Sequence, residues 1–167
     1  MAFYGWPISQ CQDLTTPLEV QLHSGIRVLD IRLAVIDGHL ECYHGIYPQR
    51  TRFTRIIEIL SAFLTSPQSS RETIVMSMKQ EDWTNSKTFF SLVLNTMAAG
   101  PLGMDMWYMH NRIPTLGEVR GKMVLFSRFG GNAPREDIGI HPTYWPDSEK
   151  KGFTWKCKDV TVRTQDW

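Results

Sequence analysis

The feature that most constrains this chain is a set of strand-length apolar runs that close on polar residues of one parity. In SGIRVLDIRLA, residues 24–34, period-two alternation puts Leu29, Ile31, Leu33 and Val35 on one face and Ile26, Val28, Asp30 and Arg32 on the other. Two charges thus share a face with apolar residues inside a run that reads as a buried strand over 26–34. The pattern recurs. Lys79 closes the face of Val75 and Ser77 in TIVMSMK, 73–79, and Arg128 closes that of Val124 and Phe126 in KMVLFSR, 122–128. Asp166 follows Val160, Val162 and Thr164 in a last strand at 160–166, and His44 follows Leu40 and Cys42 in HLECYHG, after the Asp37-Gly38 turn signal.

Helical stretches separate these runs. Phe53, Ile56, Ile57, Leu60 and Leu64 have the spacing of one buried helical stripe, closed by SPQSS, and a second helix is predicted over 86–98, stopping at Gly100-Pro101. The Gly- and Pro-rich stretch from Phe129 to Phe153 reads as a long loop carrying aromatics. Strands alternating with helices imply parallel pairing. If they curl into a barrel, the purely apolar faces pack outward on helices and the mixed faces line the interior. The charges then gather at the carboxyl end, where barrel enzymes keep their sites. Asp30 and Arg32 are tolerable there, paired with each other and with ligand in a partly wet mouth.

One Arg or Lys at a strand end is ordinarily a solvated charge. A converging His44, Arg32, Arg128, Lys79, Asp30 and Asp166 suits a phosphate, because guanidinium and ammonium groups match its oxygens and a histidine exchanges protons near neutral pH. Phosphodiester cleavage is the chemistry that this set suggests. The composition excludes other classes. With 167 residues, 42% hydrophobic content and a net charge of +1, the chain has enough apolar material for one cored domain and lacks a nucleic-acid binder's basic excess. No run approaches the roughly 18 apolar residues of a spanning helix, and no secretion signal is visible, so localisation is left unassigned. Three dispersed cysteines suggest neither a disulfide framework nor a zinc site. His39, His110 and His141 lack metal-ligand spacing and read as surface or hydrogen-bonding residues. GGNAP, 130–134, lacks the Lys-Ser/Thr of a phosphate loop. Of the tryptophans, Trp145 is the one that the loop can bring to a barrel mouth near lipid.

GIRVLDIRL, YHG, ETIVMSMKQE, PTLGEVRGKMVLFSRF, Trp145-Pro-Asp and VRTQDW, in that order, resemble the X region of phosphatidylinositol-specific phospholipase C, above all its single-domain bacterial and fungal type. The likeness runs from Pro17 onward. It implies one incomplete X domain over 1–167, with an α/β fold of the TIM-type (β/α) barrel kind, the phospholipase C-like phosphodiesterase fold, lacking its first and last strands. It also implies attack of the inositol 2-hydroxyl on the phosphodiester of phosphatidylinositol at a membrane surface, giving diacylglycerol and a cyclic inositol phosphate. By position, His44 resembles the general acid, Arg32 the arginine that stabilises phosphoryl charge, and Asp30 the carboxylate that holds it. Lys79, Arg128 and Asp166 resemble the residues that grip inositol and phosphate. Larger animal relatives carry a calcium-binding carboxylate where Arg32 stands. The expectation is therefore calcium independence, with no metal, no cofactor and no obligate protein partner.

One departure accompanies the likeness. The family's Pro-Gly-Thr-His-Asp type segment, which carries the general base, has no counterpart here, and His23, the one histidine before Arg32, falls where the family has a helix. Such a barrel typically needs about 250 residues. The expectation is a chain cut at both ends and weakly active or inactive by itself. Two alternatives stand beside it: an inert inositol-phosphate- or lipid-binding relative, and another barrel phosphodiesterase of the glycerophosphodiesterase or sphingomyelinase kind.

Overall fold

The computed structural model describes residues 17–81, 87–129, 138–142, 144–146 and 149–165. After the helix α1, Leu18–His23, come β1, Val28–Ile36, β2, His39–His44, β3, Tyr47–Arg52, and the helix α2, Phe53–Thr65. β4, Ile74–Gln80, and α3, Phe89–Ala98, follow, then the two-residue β5, Trp107–Tyr108, and β6, Met123–Arg128. β7, Phe153–Cys157, and β8, Val160–Thr164, end the described chain.

The predicted stripe of α2 is the buried one: Phe53, Ile56, Ile57, Leu60 and Leu64 lie in the core. SPQSS ends the helix through its serines, since the Ser69 hydroxyl donates to the Phe63 carbonyl and lies 2.6 Å from the Ser66 hydroxyl. Between β1 and β2, Asp37 and Gly38 take φ of 47° and 76°. Two successive positive φ angles make the tight turn that matches strand twist, which is why Asp-Gly signals a hairpin. α3 is shorter than expected and begins at Phe89.

The main sheet has the order β3-β2-β1-β4-β6-β5. β1, β4, β6 and β5 run parallel, as alternation with helices predicted, while β2 and β3 return antiparallel at the edge. Leu29, Ile31 and Leu33 of β1, Met76 and Met78 of β4, and Met123 and Leu125 of β6 share one buried cluster with Ile56, Leu60, Val93 and Met97 of the helices. The opposite face carries a second cluster at its β6 end, built from Val124, Phe126, Trp155 and Cys157. One face is thus covered by helices and the other is the inner wall of a partial (β/α) barrel.

The last strand corrects the sequence expectation. Residues 160–164 do not join the parallel sheet; β8 pairs antiparallel with β7 in a separate ribbon. Phe153, Trp155 and Cys157 alternate with polar residues, and this ribbon lays Trp155 and Cys157 on the inner face of β6. Asp166 lies outside the described residues, as do Trp6, Trp83, Cys11 and GGNAP. No helix among the described residues is long and apolar enough to cross a membrane.

Candidate active site

Register brings the strand-end cations together. On β1, β4 and β6 the side chains of one parity enter the helix-covered core, so the other parity points to the inner face. Arg32 pairs with Lys79, and Lys79 pairs with Arg128, so the three cations form one row across three neighbouring strands at their carboxyl ends. Asp30, Ser77 and Phe126 form the row one step below. The charges in SGIRVLDIRLA therefore sit on the barrel's inner face, while Leu29, Ile31 and Leu33 supply the core.

Asp30 links the ends of this row. Its Oδ2 accepts the Arg32 Nε–H at 2.9 Å, and its Oδ1 accepts from an Arg128 terminal nitrogen at 3.3 Å. The same Arg128 nitrogen lies 3.4 Å from the Ser77 hydroxyl, and its guanidinium carbon stands 4.6 Å from the centroid of the Trp145 ring. The Arg128 side chain is 6% exposed. A guanidinium so far out of water depends on its partners, of which Asp30, 46% exposed, still meets solvent and so is partly screened. Trp145 is itself held edge-on by Phe126 and Phe153, at 5.9 and 5.2 Å between ring centroids.

The stretch before Trp145 is fixed to β6. Ser127 N–H donates to the Ile140 carbonyl, Ile140 N–H to the Leu125 carbonyl, and Gly139 N–H to the Met109 carbonyl. His141 Nδ1 lies 2.8 Å from the Ser127 carbonyl, so this histidine has the hydrogen-bonding role the sequence suggested.

His44 reaches the site by a route that parity did not anticipate. Cys42 pairs with Leu33, so Leu40 and Cys42 turn toward the helix-covered core, and the residues that share their parity with His44 do not line the inner face. The chain instead departs from β1 after Cys42 and pairs with β3, with a register shift between Glu41 and Tyr43 and His44 opposite Tyr47. This divergence opens a cleft of about 490 Å³ lined by Asp30, Arg32 and His44, with Leu29, Ile31, Ile56 and Ile59 as apolar wall. His44 Nδ1 is buried and lacks a hydrogen-bond partner among the described residues. Burying such an atom unpaired is costly, so a ligand or substrate group that satisfies it gains.

A fixed row of cations beside an imidazole can bind a phosphodiester, stabilise charge on its non-bridging oxygens and pass a proton to a departing oxygen. Among the described residues no group of His, Cys, Asp and Glu forms a metal-binding cluster. Sequence reasoning passed over Ser77 and the Trp145–Arg128 stacking. Ser77 was legible, lying between Val75 and Lys79 on the selected face, whereas the stacking depends on the tertiary path of a loop.

A sequence model of the phosphatidylinositol-specific phospholipase C X domain matches residues 8–129. The 1-phosphatidylinositol phosphodiesterase of Staphylococcus aureus strain Newman is 31% identical over 168 aligned residues, covering 96% of this chain and 52% of that protein. The protein of the same name from Listeria monocytogenes is 33% identical over 127 residues, 72% of this chain and 37% of its own length. A solved structure of the S. aureus phosphatidylinositol-specific phospholipase C, from work on its membrane binding, superposes with a TM-score of 0.72 at 27% identity, covering 98% of this chain and 56% of that one. The chain thus spans about half the length of the S. aureus relative.

Proposed function

This chain belongs to the phosphatidylinositol-specific phospholipase C X-domain family, and on that premise we propose that the protein cleaves the phosphodiester of phosphatidylinositol at a membrane surface, releasing diacylglycerol and a cyclic inositol phosphate. The observation that carries this reading is the row Arg32, Lys79, Arg128 with His44 in the adjoining cleft.

In this reading Arg32 faces the phosphoryl oxygens and lowers the energy of the charge that grows there as the inositol 2-hydroxyl attacks, its proton passing to a general base, a role to which no residue of this chain is assigned. Asp30 keeps that guanidinium oriented, which removes reorganisation from the reacting step. Lys79 and Arg128 take the remaining anionic and hydroxyl oxygens of the headgroup, and Asp166 is assigned to the inositol hydroxyls by its place in TQD. His44 hands a proton to the departing diacylglycerol oxygen as the P–O bond breaks. A fixed guanidinium supplies the positive charge that a calcium ion would otherwise bring, so the reaction proceeds without added metal.

The test is ³¹P NMR of the protein acting on phosphatidylinositol vesicles, with and without excess chelator. Cyclic inositol phosphate at an unchanged rate under chelation is the expected result. No release of inositol phosphate rejects the activity, and a chelator-induced loss reversed by calcium rejects the role given to Arg32.

A further inference from the structure

Glu81 follows Gln80 at the carboxyl end of β4 and extends the parity of Val75, Ser77 and Lys79 by one step. It is 4% exposed, so its carboxylate has left water and needs protein partners. Its backbone N–H donates to the Leu33 carbonyl at 2.9 Å, which fixes it against β1. Its Oε1 accepts the Gly45 N–H at 3.0 Å. Gly45 is the residue after His44 and sits at φ 58° in the turn to β3. One side chain therefore reaches from β4 past β1 to a turn on β2, a strand that is not its neighbour in the sheet.

The contact falls where the sheet has stopped helping. The pairing of β2 with β1 extends only to Cys42, two residues before His44. Among the described residues the His44 ring has no hydrogen bond at Nδ1 to orient it, so the backbone that carries it matters the more. The hydrogen bond from the Gly45 N–H to Glu81 anchors the adjoining peptide. We infer that Glu81 is a positioning residue for His44, holding the His44–Gly45 turn at the mouth so that the imidazole stands ready beside the cationic row. The catalytic part of this inference rests on the phosphodiesterase reading; the physical link between Glu81 and the His44 turn does not.

Two measurements test it. In NMR spectra of this chain, the Gly45 amide is expected to exchange slowly, and Glu81→Ala is expected to shift both that amide and the His44 ring resonances. Glu81→Gln, which keeps an acceptor oxygen, restores most of both. Fast exchange of the Gly45 amide in the unaltered chain overturns the link even if Glu81→Ala does not fold, and so do His44 resonances that stay in place in Glu81→Ala. In assays of cleavage, Glu81→Ala is expected to lower kcat on phosphatidylinositol by about 10- to 100-fold, below the 10²–10⁴-fold typical of general acid catalysis. KM changes little, an inositol phosphodiester with a low-pKa leaving group is spared, and the loss does not add to that of His44→Ala. Equal losses on both substrates mean a merely structural role and overturn the inference. If the unaltered enzyme releases no inositol phosphate while the resonances respond as expected, the phosphodiesterase reading falls and the Glu81–His44 link stands.

Discussion

Asp30 divides its two oxygens between two guanidiniums, one on its own strand and one on β6. It thus holds both guanidiniums in place, the preorganisation that the proposed reaction asks of it. Arg32 and His44 are separable by their chemistry. If the proposed activity holds, His44→Ala should cost about 10²- to 10⁴-fold in kcat/KM on phosphatidylinositol and far less on a substrate whose leaving oxygen has a low pKa, because such an oxygen needs little protonation. Arg32→Ala should harm both substrates alike, since phosphoryl charge develops whatever leaves. Equal factors for His44→Ala on both substrates would remove it from the leaving-group role. At this scale the sequence was legible where alternation and register act together: Asp30, Arg32, Lys79 and Arg128 follow from period two and parallel pairing. His44 was selected by the right period for the wrong reason, because Cys42 faces the core and a departure from β1 delivers the imidazole to the cleft.

Among the elements, the short stretch around Ile140 shows how a segment without a strand's pattern still fixes the site. Gly139 sits at φ 81° against β6, and an added Cβ would overlap the Leu125 carbonyl and stand 2.9 Å from Leu125 Cβ. Gly139→Ala should therefore cost at least the roughly 1–3 kcal/mol of a strained backbone position and loosen Trp145 from Arg128. Thermal melts together with tryptophan fluorescence would register this, and an unchanged melting curve would refute it. A second element responds to pH. The turn Leu116–Val119 starts at a capping box in which Thr115 and Glu118 bond reciprocally. The Arg112 guanidinium, and then the Thr115 backbone and hydroxyl, draw the Glu118 carboxyl down from 4.5 to about 2. A carboxyl with a depressed folded value adds stability that is fully present above its unfolded value and is lost as pH falls through the folded one. Glu118→Gln should flatten the decline in melting temperature between about pH 4.5 and 2, by a modest amount because the pair is exposed. Parallel curves for both proteins would count against it. The elements that sequence reasoning missed or misassigned share a physical cause. β3 contains Pro48 and little apolar alternation and exists through its hairpin partner, whereas Phe153–Cys157 does alternate but is only five residues long and adjoins a Gly- and Pro-rich loop that masks it.

At the scale of the whole molecule, the inner wall is covered unevenly. Over β6, the β7–β8 ribbon and Trp145 close it, whereas over β1 the Val28 side chain on the same wall is 67% exposed. The edge is open in the same place. β1 pairs with β4 along Val28–Leu33 and with β2 only from Leu33 onward, so among the described residues no strand bonds to the β2-side edge of Val28–Arg32. A strand edge that no neighbouring strand covers, beside an exposed valine, is a template for another chain. The location of this edge needed the register, which strand–helix alternation alone does not supply. The chain of 167 residues should therefore self-associate as its concentration rises, with light scattering reporting species above the monomer mass of 19.3 kDa. Val28→Lys places a charge where water already reaches, at a cost within about 0.5 kcal/mol for an exposed position, and charged edge residues oppose strand pairing. The variant should stay monomeric at concentrations where the parent associates, with an unchanged melting temperature at high dilution. A parent chain that remains monomeric throughout, or a variant that associates as readily as its parent, would show that the open edge of β1 does not drive association.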